Sequence, residues 1–253
     1  MAIEGKYIYG IIETAQDHRF GEIGLLGEEV FTMGIDRLAM VISHYSTDEE
    51  GQVKSSRKNL LAHQRVLERV MEEHVILPMK FGTIAQSMGE IHNILIRHEQ
   101  NILRNLRNLD NKVELGVKAF WKDMPSIYNE VLERNEAIQS KKIEIAGKEN
   151  TNDLIEIGQM VEQALLDKKE EEAEQILEEL KPLAMDSTQG KLMGEAMFLN
   201  ASFLVSKGQE VVFDNQMEEL GEKLGDRVKL KYVGPLAPYN FVDLDISQES
   251  WEA

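Results

Sequence analysis

KLKYVGPLAPYNFVDLD, residues 229–245, changes character abruptly. Val228, Leu230 and Tyr232 alternate with Lys229 and Lys231, the period-two pattern of a strand with one face on a core and the other in water. Gly234 and Pro235 predict the end of that strand, because proline has no amide hydrogen to give to a ladder, and Pro238 prevents an early resumption. Tyr239, Asn240 and Phe241 lead into a second short alternating run, Phe241 to Ile246. The stretch reads as a stiff, aromatic-bearing corner at the edge of a sheet.

The corner closes a chain of 253 residues with 42% hydrophobic content, enough for one large or two medium cores. A formal charge of -17 argues against nucleic acid and anionic membrane as partners, since the general field repels both. Residues 1–110 hold 12 Lys and Arg against 16 Asp and Glu, the remainder 16 against 29, so the acidity gathers in the second half. With no cysteine there is no disulfide, thiolate metal site or thiol nucleophile to consider, and the cytoplasm is the expected compartment. MAIEGKYIYGIIETA lacks the basic flank and apolar run of a secretory leader, and no stretch approaches the roughly 18 apolar residues of a membrane span.

At the other end of the chain, KYIYGIIE (6–13) is apolar on both faces, as in the middle strand of a covered sheet, and Gly10 inside it hints at a close backbone approach. Residues 14–27, punctuated by Gly21, Gly24 and Gly27, read as loop. Runs at 29–32 and 37–45 form a hairpin around Gly34 and Asp36. A helix follows at 55–75 with Leu60, His63, Leu67, Val70, Met71 and His74 on one stripe, then a strand at 75–83 that Pro78 confines to an edge, then a helix at 88–109 facing inward with Ile91, Leu95, His98, Ile102 and Leu106. His63 and His74 lie eleven residues apart, roughly 16 Å along a helix, too far for one ion. The order predicts a modified ferredoxin-like domain at 1–110 whose first helix is shortened to a loop, with both helices on one side of the sheet.

A second α+β domain is expected at 111–246, with a tail at 247–253. Residues 113–121 alternate as a half-buried strand, and Pro125 marks a helix start. A polar break at 140–150 precedes a long helix to Leu180, whose middle, DKKEEEAEQ, reads as a solvated face or a break. MFLNASFLV (197–205) is a buried strand; a helix at 209–224 ends at Gly225. Neither a metal-spaced carboxylate set nor a P-loop, G-x-S-x-G or H-E-x-x-H is present, and no cofactor motif replaces them, so the chain is not expected to be an enzyme. A hydrolase built on His63 or His98 would need an exposed cleft beside either ring. Twelve methionines against 6% aromatics suit an irregular core or an adaptable apolar surface.

Gly234, Pro235, Leu236, Ala237, Pro238, Tyr239, Asn240 and Phe241 resemble the terminal G-P-x-P-P-Y-x-F signature of the gas vesicle protein F/L family, with Ala237 in place of the first of two prolines. His63, Val66 and Leu67, followed by Leu77-Pro78 and Phe81-Gly82-Thr83, look like the family's H-x-x-V-L and V-L-P-x-x-F-G-T elements. Asn200 to Val205 is similar to its N-A-A-F-L-V segment, and Tyr7-Ile8-Tyr9-Gly10 fits its opening strand. The resemblance implies a two-domain minor gas vesicle protein of the cytoplasm. It would act with the small, very hydrophobic major shell protein, and with other gas vesicle accessory proteins, in nucleation and assembly or as part of the shell. Contacts are expected at Pro235, Leu236, Pro238, Tyr239 and Phe241, or along an exposed sheet edge by strand addition, and a soluble acidic accessory that covers apolar shell subunits would limit their aggregation. The alternative, a ligand-sensing regulatory protein with two ferredoxin-like domains, requires a defined pocket.

Overall fold

The computed structural model describes residues 4–46, 53–145, 151–242 and 244, and the chain is α+β throughout. The described residues of Met1–Glu114 and Pro235–Ala253 form one compact unit and Leu115–Gly234 another. The corner after Gly234 therefore groups with the first unit, whereas its place in the chain suggested the second. Sequence order could not show this, because the contacts that decide it reach back to residues far upstream.

In the first unit, β1 (Glu4–Glu13) is the central strand of an antiparallel sheet with β2 (Arg19–Gly21), β3 (Val30–Ile35), β4 (Leu38–Ser46), β5 (Ile76–Pro78) and β6 (Ile84–Ala85). The order is β2-β3-β4-β1-β5, with β6 also on β1. Without the short β2 and β6, the order β3-β4-β1-β5 is that of a ferredoxin-like sheet. Asp36 takes a left-handed φ of 54° at the β3–β4 turn, which Asp tolerates better than most residues. β2 and a 3-10 turn at Leu25–Gly27 occupy the stretch expected to be plain loop.

The helices α1 (Arg57–Met71) and α2 (Met88–Leu109) cover opposite faces of this sheet, not one face as expected. Ala39, Val41 and Tyr45 of β4 share a buried cluster with Val66, Leu67 and Val70 of α1; no α2 residue belongs to it. The alternate residues Leu38, Met40 and Ile42 are just as buried, and α2 contacts β1, β3, β4 and β5. Strand residues alternate faces, so two buried faces need two covers. Ser56 and Ser87 cap the two helices, accepting from Asn59 N and Glu90 N. Leu60, assigned to the inward stripe of α1, is 46% exposed, and Val66 takes the inward place instead.

In the second unit, β7 (Lys112–Trp121, whose first three residues belong to the first unit), β8 (Asp186–Gln189), β9 (Met197–Ser206) and β10 (Val228–Leu236, whose last two residues belong to the first unit) stand in the order β10-β7-β9-β8. Counted in chain order that is 4-1-3-2, the same order as in the first sheet. Helices α3 (Met124–Arg134), α4 (Glu136–Ile145), α5 (Thr151–Leu180) and α6 (Glu210–Leu224) complete it. β8 escaped the sequence because Asp-Ser-Thr-Gln has no apolar pattern; its ladder to β9 alone makes it a strand. β7 is buried on both faces rather than half-buried. β10 runs through Gly234 and Pro235 to Leu236; it is an edge strand, where proline's missing N–H costs no ladder bond.

α5 is one unbroken helix without the break offered as an alternative, and its acidic middle is solvated on one side only: Asp167, Glu170, Glu171 and Glu174 are exposed, whereas Lys168, Lys169 and Ala173 are buried.

Gly10 makes the close approach its position hinted at. A Cβ there would lie 2.6 Å from Ile76 Cγ1 and 2.8 Å from the Leu77 carbonyl oxygen. Gly10→Ala should cost about 1–3 kcal/mol through overpacking, read as a lower urea midpoint at unchanged slope. A midpoint equal to wild type would show that β5 can move away freely.

Candidate functional site

The corner is held to the first unit by two polar anchors and an apolar plug. Ala237 and Pro238 are buried, and Ala237 joins the cluster of Tyr7, Tyr9, Val66 and Leu67. A 3-10 turn at Tyr239–Phe241 then aims Tyr239 at α1, where its hydroxyl lies 2.6 Å from His63 Nε2. The other ring nitrogen, Nδ1, is 2.7 Å from the Tyr7 hydroxyl, which also accepts from Gly82 N at 3.1 Å. Tyr7 has one proton to give, and His63 Nδ1 is its acceptor; we therefore assign the neutral Nε2–H tautomer, with Nε2–H donating to Tyr239. One residue on, Asn240 donates from its backbone N (2.9 Å) and its Nδ2 (2.6 Å) to the two carboxylate oxygens of Glu114, which is 3% exposed.

Four aromatic rings surround His63, from Tyr7, Tyr9, Phe81 and Tyr239, with centroids 5.5–6.3 Å away. Burial in this cage pushes the His63 pKa down to about 4, opposed in part by a hydrogen bond with the Met79 backbone. Burial also pushes the phenol pKa values of Tyr7 and Tyr239 up, with nearby Glu114 adding to the effect on Tyr239. Tyr7, His63 and Tyr239 are thereby all kept neutral at pH 7. Both ring nitrogens of His63 are taken by phenols and the ring is 3% exposed, so it offers nothing to the hydrolase reading. His98 is half-buried on α2, its Nε2 buried without a partner.

Of the residues expected to contact a partner, Pro235 is exposed, Leu236 and Phe241 are half-buried, and Tyr239 is 37% exposed although its hydroxyl is engaged. Pro238 is buried and shapes the corner from beneath. Sequence reading missed Glu114, hidden in an apparently alternating strand.

It also missed a charge network in the second unit. Arg227 donates to both oxygens of Glu130, the second at 2.8 Å, and to Glu172 Oε1 at 2.8 Å. Lys168 bridges the same carboxylates at 2.9 and 3.1 Å, and Trp121 Nε1 donates to Glu172 Oε2 at 2.5 Å. Hydrogen bonding to Arg227 holds the Glu130 carboxyl down at about 2. These four charged groups line a cleft of about 380 Å³ with Arg134, Lys223, Phe198 and Leu220.

The model of the family described as "Gas vesicle synthesis protein GvpL/GvpF" matches residues 5–243. This chain belongs to the GvpL/GvpF family. Gas vesicle protein F of Dolichospermum flosaquae is 30% identical over 243 residues, covering 94% of this chain and 98% of the relative. The Nostoc sp. (strain PCC 7120) protein of the same name is also 30% identical, over 95% and 98% of the two chains. The crystal structure of GvpF from Anabaena sp. PCC7120 superposes with a TM-score of 0.80 at 28% identity, covering 96% of this chain and 99% of that one. GvpF from Microcystis aeruginosa gives 0.80 at 26%, over 95% and 99%. The GvpL/GvpF chain described here is accordingly a gas-vesicle-associated protein, in a family not known for enzymes. Among its described residues no helix is long and apolar enough to cross a membrane.

A buried imidazole whose folded pKa lies below its unfolded value binds fewer protons folded than unfolded. Stability must then rise with pH between about 4 and 6.5, be fully present above 6.5, and be lost as pH falls toward 4. The span corresponds to about 3 kcal/mol. In urea titrations at several pH values, His63→Gln should lack this component while keeping the carboxylate-driven loss at lower pH. Tyr239→Phe, which deletes only the hydroxyl, should cost about 1–3 kcal/mol by leaving the His63 Nε2–H without an acceptor. Equal urea midpoints for Tyr239→Phe and wild type would show that the link carries no stability.

Proposed function

We propose that this protein acts in gas vesicle nucleation and assembly, in the cytoplasm, by binding the small hydrophobic major shell protein and keeping it from aggregating until it is incorporated. The observation that carries this reading is the family match over residues 5–243, together with the fold shared with GvpF structures at a TM-score of 0.80. The physical properties support it. Apolar shell subunits aggregate unless covered, and a cover with a formal charge of -17 keeps a complex soluble. The corner supplies a contact with the right chemistry: exposed Pro235 and the Tyr239 ring face, flanked by half-buried Leu236 and Phe241, on a backbone already fixed by His63 and Glu114. A pre-organised apolar contact loses little entropy on binding. Other gas vesicle accessory proteins are candidate partners at the same face.

A ligand-sensing role is favoured by one observation, the 380 Å³ charged cleft of the second unit. Its four central charges, Arg227, Lys168, Glu130 and Glu172, already satisfy one another, so a ligand there would have to displace an intact network, and the shell-partner reading stands first.

The test is capture of purified major shell protein by the tagged chain, comparing wild type with a Pro235→Asp, Phe241→Ser variant whose circular dichroism and melting temperature match wild type. Capture by wild type, weakened about tenfold or more in the variant, is the expected result for an apolar anchor of about 1.4 kcal/mol or more. No capture by wild type would contradict the shell-partner reading. Undiminished capture by the variant would move the contact off the corner.

A further inference from the structure

Three side chains of the first unit lie outside the anchoring of the corner. His18 is in the loop between β1 and β2, and Glu73 and His74 follow directly on α1. One ring nitrogen of each histidine and a carboxylate oxygen of Glu73 all lie within 4.8 Å of one another. The two imidazoles meet edge to face, centroids 4.5 Å apart at 77°. Placing two imidazoles and a carboxylate around one point is the donor arrangement of a metal site; the β1–β2 loop brings His18, and the end of α1 brings Glu73 and His74.

His74 is fixed by its backbone N–H, which donates to the Val70 carbonyl at 2.9 Å and closes the last turn of α1. Its Nε2 is buried with no hydrogen-bond partner, an arrangement that costs free energy unless something satisfies it. His18 is fixed twice: its backbone N–H donates to Thr32 Oγ1 at 2.7 Å, and its Nε2 lies 3.0 Å from Thr14 Oγ1. A hydroxyl against one ring nitrogen orients the ring and leaves the other nitrogen free, the usual support for a ligating histidine. Glu73 is exposed; Arg69 engages its Oε1 at 2.5 Å and leaves Oε2 for a cation. Arg69 is shared with Glu72 at 2.9 Å, so two carboxylates face its single charge.

We propose that His18, Glu73 and His74 bind a first-row divalent cation of the Zn²⁺ class, through two imidazole nitrogens and one carboxylate oxygen. Two histidines and a glutamate suit zinc, with water completing a tetrahedron, whereas magnesium and calcium prefer oxygen-only sets. Bonds of about 2.0–2.1 Å set neighbouring ligands roughly 3.3 Å apart, so atoms that lie within 4.8 Å of one another need draw in by no more than about 1.5 Å. The exposed Glu73 side chain makes most of that movement by changing rotamer. A bound ion would tie the β1–β2 loop to the end of α1 and satisfy the orphaned nitrogen of His74.

Calorimetric titration of Zn²⁺ alone into the tag-free full chain at neutral pH tests this. One saturable equivalent with a micromolar or tighter Kd is expected, weakened about tenfold or more by His18→Gln, by His74→Gln and by Glu73→Gln, and unchanged by His92→Ala on α2. Co²⁺ should give visible d–d absorption in wild type that the His18→Gln variant lacks, and Zn²⁺ should raise the melting temperature of wild type only. Circular dichroism of each variant separates lost ligation from lost folding. Absence of a saturable equivalent, or full retention of binding when His18 and His74 are both replaced, would overturn the proposal.

Discussion

Both nitrogens of one buried imidazole are engaged by phenols from opposite ends of the chain, and the first unit is arranged around that fact. His63 meets Tyr7 from the central strand and Tyr239 from the corner, 56 and 176 positions away. An imidazole can be buried neutral at modest cost only if one nitrogen finds a donor and the other an acceptor. The sheet supplies the first and the terminal corner the second, so the corner completes the polar accounting of a core formed long before it in the chain. That is why it packs with the first unit, and why Ala237 and Pro238 are buried while Pro235 is exposed and Tyr239 only partly so.

The sequence motifs that carry the family resemblance become intelligible in this light. Tyr7, His63, Phe81, Gly82 and Tyr239 were each legible as members of short local patterns, and four of those patterns meet within one cage. Local pattern reading identifies the pieces but not the meeting place, because hydrogen bonds over such separations leave no periodicity. The helices at 57–71 and 88–109 and the strands at 4–13 and 38–46 were legible from amphipathic spacing and apolar runs. Their arrangement on opposite faces was less so: the signal was the unbroken apolar run Leu38 to Ile42, which covers both faces of β4 and requires two covers.

Charge was only half legible. DKKEEEAEQ reads as a solvated face, and Asp167, Glu170, Glu171 and Glu174 are exposed, but on the other side of the helix Lys168 and Glu172 meet Glu130 and Arg227 from other elements and neutralise them. Removing one partner of such a network exposes a buried charge and costs far more than a surface pair. Glu114 taught the same lesson in β7, where an alternating strand concealed a buried carboxylate whose partner, Asn240, lies in the corner. Edge placement likewise rescued β10 from its proline. In each case tertiary context overrode a sound local rule.

The terminal corner, which we propose as the partner contact, is seated on its own unit, and its seating rests on the state of His63. Nitrogen-15 NMR of histidine-labelled protein reads that state directly through the shifts of the two ring nitrogens and their couplings to the ring carbons' protons. The account predicts a neutral ring, protonated on Nε2 alone, with no titration from pH 8 down to about 5. A His63 ring titrating near its ordinary value of about 6.5, or exchanging freely between tautomers, would contradict it.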